Sequence, residues 1–399
     1  MTAYLLECLG VSLRALHVIA AIAWIGESFY FVMLDRALKP PAQADDAVAG
    51  ELWSVHGGGF YHKQKYRIAP AHMPAELHWS KWKAYTTWLS GFALFCLSYL
   101  AAPSIHLVDP AVAALSERNA VVLALAFPLV AWVGYDLLCR LAGFRERLLG
   151  ASIGLFVLGL CYAATHLFAG RAAFLLVGAA IGTIMAANVF FVIIPGQKRM
   201  VAAMVRGEDP DPLPGLRGRQ RSVHNTYLTL PVVFAMLSIH YAAATVHAQS
   251  WLVLALFMLS GALIRQFFVL WHGGGRAWGL LATGIAVLLA TFAWLAPPTT
   301  ASGATVRPPP ASAVPATAAV LPILAQRCAA CHSAQPSLMA SAPNGVRFDD
   351  AAQIERHAEL IHRQVVSLRI MPPGNLTGIT EAERDTIARW YAGRTSRPP

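Results

Sequence analysis

The sequence predicts an all-α fold, an eight-helix transmembrane bundle fused to a small all-α soluble domain, on three observations. Of 399 residues, 56% are hydrophobic and only 13% carry a charge, about half the charged share of an average soluble domain. Uncharged apolar stretches of about 20 residues, the length that crosses a hydrocarbon core ~30 Å thick, recur up to residue 296. After Pro297 the composition turns to Pro, Ala, Thr and Ser, and then to a segment of mixed charge with helical periodicity. A salt-soluble globule is excluded. The net charge of +10 does not point to nucleic acid either, because the basic residues lie in short loops between apolar spans and not on one face or in a tail.

The spans fall at 12 to 34, 84 to 102, 119 to 138, 148 to 169, 172 to 194, 226 to 246, 250 to 271 and 277 to 296. An even number leaves both ends on one side. Loops after the first, third, fifth and seventh spans hold 17 Lys and Arg, from Arg36 to Arg276, whereas the other loops hold Arg118 and Arg171. By the positive-inside rule the basic loops are cytoplasmic. The lipid partner is then an inner (cytoplasmic) membrane, crossed several times, with both termini on its outer side. Met1 to Leu13 has no Lys or Arg and contains Glu7, so the first span reads as a retained helix and not a cleaved signal peptide. Three segments result: 1–296 transmembrane, 297–318 a Pro/Ala/Thr-rich linker, and 319–399 a periplasmic domain. Thr380 and Glu383 form a capping box for its last helix, and Gly393 supplies a stop signal.

Cys328-Ala-Ala-Cys331-His332 is the C-x-x-C-H attachment sequence of a covalent c-type haem, with His332 as an axial iron ligand. Zinc would want four ligands, usually from two separated pairs, and this segment has no other Cys. Met371, in Arg369-Ile-Met-Pro-Pro-Gly374, is the expected sixth ligand; Met339 is the alternative. The whole segment resembles a small single-haem cytochrome c. Such haem attachment takes place outside the cytoplasm, in agreement with the loop charges. The remaining Cys8, Cys96, Cys139 and Cys161 read as packing residues.

A cytochrome needs one anchor helix, so eight imply a second task. Polar residues inside spans are costly and mark where to look. Glu27 is the acid deep in the first span; it either pairs with a buried Arg such as Arg265 or takes part in chemistry. Glu27-Ser-Phe-Tyr-Phe-Val32 lines up with Asn188-Val-Phe-Phe-Val-Ile193, which fits two parallel four-helix halves or a chance likeness of apolar text. In the first case Glu27 and Asn188 share one depth. The second and sixth helices then start beside them, after His78-Trp79-Ser-Lys81-Trp82 and His224-Asn225, with N-termini that favour an anion. The loop from 35 to 83, rich in His, Lys and Gly, is long enough to be a site or lid, or an interfacial anchor. His17, His166 and His240 occupy the outer half. Two of them would hold a non-covalent b-type haem, or each is hydrogen-bonded to a neighbouring helix.

Trp53-Ser-Val-His-Gly-Gly-Gly59, Met73-Pro74, Leu77-His-Trp-Ser-Lys-Trp82, Arg221-Ser-Val-His-Asn-Thr-Tyr227 and the terminal CAACH with MPPG make the chain resemble the bacterial membrane-bound urate oxidases, also called urate hydroxylases, that end in a cytochrome c. The resemblance implies oxidation of urate to 5-hydroxyisourate without peroxide, electrons leaving through the fused cytochrome to a periplasmic cytochrome c or a terminal oxidase. Urate is a planar monoanion, so its site needs cationic charge, amides and an aromatic face. Arg67, Lys81, Asn188, His224, Asn225 and one of Trp79 or Trp82 have that chemistry. Glu27 is the expected general base and His78 the runner-up. Two rival readings are a quinol- or respiratory-complex-linked cytochrome subunit and a non-catalytic anchor for an electron-transfer cytochrome.

Overall fold

The computed structural model describes residues 2–43, 45–70, 73–296, 315–339 and 342–395. The chain is mostly helical, at 71%. Each expected span overlaps a helix: α1 Thr2–Ala37, α2 Trp82–Phe95 with a π-helical turn Cys96–Leu100, α3 Glu117–Ala142, α4 Glu146–Leu167, α5 Gly170–Val205, α6 Pro212–Ser238, α7 Ser250–His272 and α8 Trp278–Leu295. Six of these, α1, α3, α4, α5, α7 and α8, are long and apolar enough to cross a membrane, the mark of a multi-pass membrane protein. The other two differ from the expected spans for visible reasons. α2 is α-helical for only 14 residues before its π turn. The first half of α6 carries Arg217, Arg219 and Arg221, and the helix stops at Ser238.

α6 also corrects an expectation. It begins at Pro212, where the Asp211 carboxylate accepts the Leu213 N–H at 2.9 Å. His224 and Asn225 therefore lie well inside a continuous helix, and no free helix N-terminus stands beside Asn188.

α5 forms the centre of the bundle. From Ala172 to Ala187 twelve of the sixteen residues are buried, because its alanines and glycines let neighbouring backbones approach closely. A Cβ at Gly178 would meet Met236 of α6 at 3.1 Å, and one at Gly284 of α8 would meet Ile264 of α7 at 2.9 Å. α1 and α8 lie outside this core and expose Leu9, Ile19, Ile22, Leu289 and Phe292, the apolar surface that lipid tails would cover.

The loop after α1 contains a feature outside the all-α expectation, a hairpin of β1 Val48–His56 and antiparallel β2 Gly59–Tyr66. Gly57 and Gly58 both have positive φ, 56° and 79°, as a two-residue type I′ turn requires. Trp53 stacks on His62 at 4.2 Å, and His62 in turn meets Glu51 at 2.7 Å. Lys65 ties the hairpin to Asp35 at the end of α1, 2.7 Å away.

A second, separate core gathers Val320 and Leu324 from α9 (Thr317–Arg327), Ile354 from α10 (Ala351–Arg356), Ile361, Val365, and Ile387 and Trp390 from α11 (Glu381–Thr395). The capping box is present: Thr380 N–H donates to the Glu383 carboxylate at 2.7 Å and Glu383 N–H to the Thr380 hydroxyl at 3.3 Å. α11 runs through Gly393 to Thr395, so Gly393 is not its stop. Most of the expected linker, residues 297–314, lies outside the described residues; α9 already starts at Thr317.

Helix approach gives a paired prediction. At Gly170, the first residue of α5, an added Cβ would lie 2.2 Å from the backbone oxygen of Thr245, whereas at Gly159 in α4 it would meet nothing within 4 Å. Gly170→Ala is expected to destabilise by about 1–3 kcal/mol, and Gly159→Ala to be neutral or stabilising by up to ~1 kcal/mol. Thermal unfolding of the two variants in detergent checks the order; equal midpoints would refute the packing.

Candidate functional site

Two regions concentrate polar and redox-capable side chains. The first is a seam buried between α3, α5 and α6. Asn188, where α5 passes into a π-helical segment Asn188–Ile193, donates to the Tyr135 hydroxyl at 3.1 Å and to Asn225 Oδ1 at 2.8 Å. Tyr135 also bonds His224 Nδ1 at 2.8 Å, and Asn225 donates to the Met185 carbonyl at 3.0 Å. Arg221 Nη1 reaches Asn188 Oδ1 at 3.4 Å, and its Nη2 pairs with Asp136 at 2.6 Å. Asp136 takes a second cation, Arg140, at 2.6 Å. The seam thus unites three expected substrate residues, Asn188, His224 and Asn225, with three that sequence reasoning did not select: Arg221, Tyr135 and Asp136. Arg221 stood inside a string already noted, and Asp136 is an acid within an apolar span, so both carried a signal. π-helical turns inside α-helices are frequent at functional positions.

Glu27 lies apart from this seam. It is held at the start of α2, accepting from Lys83 Nζ at 2.6 Å and from the Ser80 hydroxyl. Its partner is therefore Lys83 and not Arg265, which lies instead over the ring of Phe29. Trp79 packs with Trp24 and Tyr85 against Val189 and Ile194. His78 and Trp82 are exposed. Lys81 lies over Trp82, 5.6 Å from its ring centroid. Arg67 is bound to the hairpin, its Nε donating to the Asp46 carbonyl at 3.1 Å. Arg67, Lys81 and Trp82 are not brought together with Asn188, His224 and Asn225.

The second region is a cavity of about 1150 Å³ that joins the bundle to the second core. On one side it is lined by Cys328, Cys331, His332, Met339 and Met371, on the other by His17, His106 and His240. His332 Nδ1 faces the Val346 carbonyl at 3.0 Å, an arrangement that orients the ring and frees Nε2. Arg384 donates to the Met371 carbonyl at 3.2 Å and to that of Val365, fixing the backbone that carries the thioether. Burial pushes the Cys328 thiol up to about 12, with Cys331 adding to the effect, and burial also raises Cys331. His106 is lowered by burial and then by nearby Arg171. His17 Nδ1 meets the Thr87 carbonyl at 2.9 Å, again leaving Nε2 available. His166 is not in this cavity; it stacks on Tyr162 at 3.9 Å and bonds that residue's carbonyl at 2.7 Å. Of the three histidines expected in the outer half, His17 and His240 share a cavity with the C-x-x-C-H residues and His166 does not.

These donors have the chemistry of a haem site: two thiols three residues apart, an oriented imidazole and a thioether facing one apolar cavity. Among the described residues no three His, Cys, Asp or Glu side chains gather into a metal-holding group.

No curated protein and no solved structure matches the chain. The profile of the family described as urate oxidase N-terminal does match, over residues 3–296, which take in the bundle, the hairpin and the buried seam. By that match the chain belongs to the urate oxidase N-terminal family.

Proposed function

We propose that the chain oxidises urate to 5-hydroxyisourate within a bacterial inner membrane, both termini periplasmic, and delivers the electrons to a c-type haem on residues 319–399. In balance, urate and one water yield 5-hydroxyisourate, two protons and two electrons. The electrons continue to a periplasmic cytochrome c or a terminal oxidase, so no peroxide forms. Family membership supports the urate chemistry. The observation that carries the cytochrome link is the single cavity shared by Cys328, Cys331, His332 and Met371 with the outer end of the bundle. When bound, a haem there supplies a one-electron carrier whose potential the Met/His ligand pair raises.

The chain's residues divide the remaining work. Cys328 and Cys331 tether, His332 and Met371 ligate, and Arg384 holds the Met371 segment. His17 and His240 are the proposed ligands of a b-type haem in the same cavity, His17 oriented by the Thr87 carbonyl. Glu27 we assign to structure: one of its oxygens accepts from Lys83 and the other from Ser80, which joins α1 to the start of α2. The closed seam of Asn188, His224 and Asn225 fixes α5 against α6 by the same reasoning.

Four outcomes are expected. Purified oxidised protein mixed anaerobically with urate should show reduction of its haem absorbance; an unchanged spectrum sinks the urate reading. Met371→Ala should keep covalent haem but lose the Met-to-iron charge-transfer band, while persistence of that band would move the ligand to Met339. In the same spectra, a pyridine haemochrome should show b-type haem that His17→Ala removes, and c-type haem alone would end the second-haem proposal. Finally, Glu27→Gln should lower thermal stability yet keep turnover per folded haem within a few-fold of wild type. A loss of ~100-fold with normal stability, the scale of a general base, would return Glu27 to catalysis.

A further inference from the structure

Arg265 on α7 is 2% exposed, and among the described residues it forms no ion pair. One face of its guanidinium lies on the Phe29 ring of α1, Cζ standing 3.9 Å from the centroid. Its Nε and Nη2, which together make one edge of the planar group, are buried with no hydrogen-bond partner. A bare edge of this kind is costly inside an apolar bundle. The other buried arginines have answered the same problem, Arg221 with Asp136 and Arg384 with backbone carbonyls.

We propose that this edge is the seat of the substrate's negative charge; the proposal rests on the reading of urate as substrate. A planar oxopurine anion presents neighbouring ring-nitrogen and carbonyl acceptors along one edge. Two parallel N–H donors match such a pair in the way a guanidinium matches a carboxylate. A lysine could not. Phe29 backs the cation and holds it flat. The next residue, Gln266, accepts from the Tyr227 hydroxyl of α6 through Oε1, so its amide N–H groups remain as donors for a carbonyl of the same ligand. Phe29 lies 12 residues beyond His17 on α1, ~18 Å along the axis at 1.5 Å per residue. The seat therefore lies well along the helix from His17, beyond Ile25, the last α1 residue that lines the cavity. Glu27, two residues before Phe29, projects from the other side of α1 and does not share it.

The test is equilibrium binding of urate to the full-length haem-loaded protein, read by calorimetry without oxygen, with haem reduction recorded separately. Arg265→Gln should raise the Kd at least about 30-fold, the lower end for removing one partner of a buried charged pair; Arg265→Lys should fall between it and wild type. Gln266→Glu offers Arg265 an internal carboxylate, so it should fold as well as wild type and weaken urate by a similar factor, which decides the matter if Arg265→Gln does not fold. An unchanged Kd in Gln266→Glu or in folded Arg265→Gln overturns the seat. If wild type binds urate and these variants lose it, yet haem is reduced in none, the seat stands and the urate-oxidation reading falls. If all of them bind and reduce alike, the reading stands and the seat falls. Wild type that binds no urate overturns both.

Discussion

The buried hydrogen bond between Asn188 and Asn225, with the Tyr135 hydroxyl completing it, is the contact on which the arrangement of the bundle depends. In an apolar environment a polar side chain must find its partner inside the protein, and here three helices supply partners to one another. α3 gives Tyr135 and Asp136, α5 gives Asn188, and α6 gives Arg221, His224 and Asn225. Sliding any one helix by a turn would leave several of these groups unsatisfied at once, so the seam sets register where the surrounding Ala, Leu and Val side chains would tolerate many. The π-helical segment that begins at Asn188 fits the same constraint, since it alters the helix where its amide must meet two neighbours.

Close packing on one side of α5 and open space on another follow from which helices meet it. α5 is surrounded because its alanines and glycines admit α3, α4 and α6. On the side of α1 and α2, fewer residues meet α5, and the large cavity opens among His17, Gly91 and Gly182. The segment carrying Met371 closes over it. Gly374, with φ of 53°, lies so near the loop between α2 and α3 that a Cβ would come 2.9 Å from the Val108 carbonyl, which is how a chain distant in sequence reaches the same space.

The sequence made the coarse design legible through length and charge. Apolar stretches placed a helix at every expected span, and Thr380 with Glu383 announced the start of α11. The hairpin is written in Trp53, Val55, Phe60 and Tyr61 around Gly57-Gly58, an alternation with a turn signal that the expectation of a site, lid or interfacial anchor at 35 to 83 left unused. The sites were less legible. Asn188, His224 and Asn225 were singled out together, but the reason given, a helix starting beside them, failed because α6 begins at Pro212. Arg67, Lys81 and Trp82 have suitable chemistry for an anion and lie on the surface instead.

What the sequence determined by itself is composition along the chain: which stretches are apolar for the length of a membrane, where cationic loops fall, and that two thiols and an imidazole stand in one short motif. Only the tertiary structure decided who partners whom. Glu27 met Lys83 and not Arg265, His166 turned to its own helix while His17 and His240 turned to the cavity, and Arg265 was left with an unpaired edge. The physical reason is that helix propensity and hydrophobic length are local sums, whereas hydrogen-bond satisfaction in an apolar interior is settled by the angle and register at which whole helices meet.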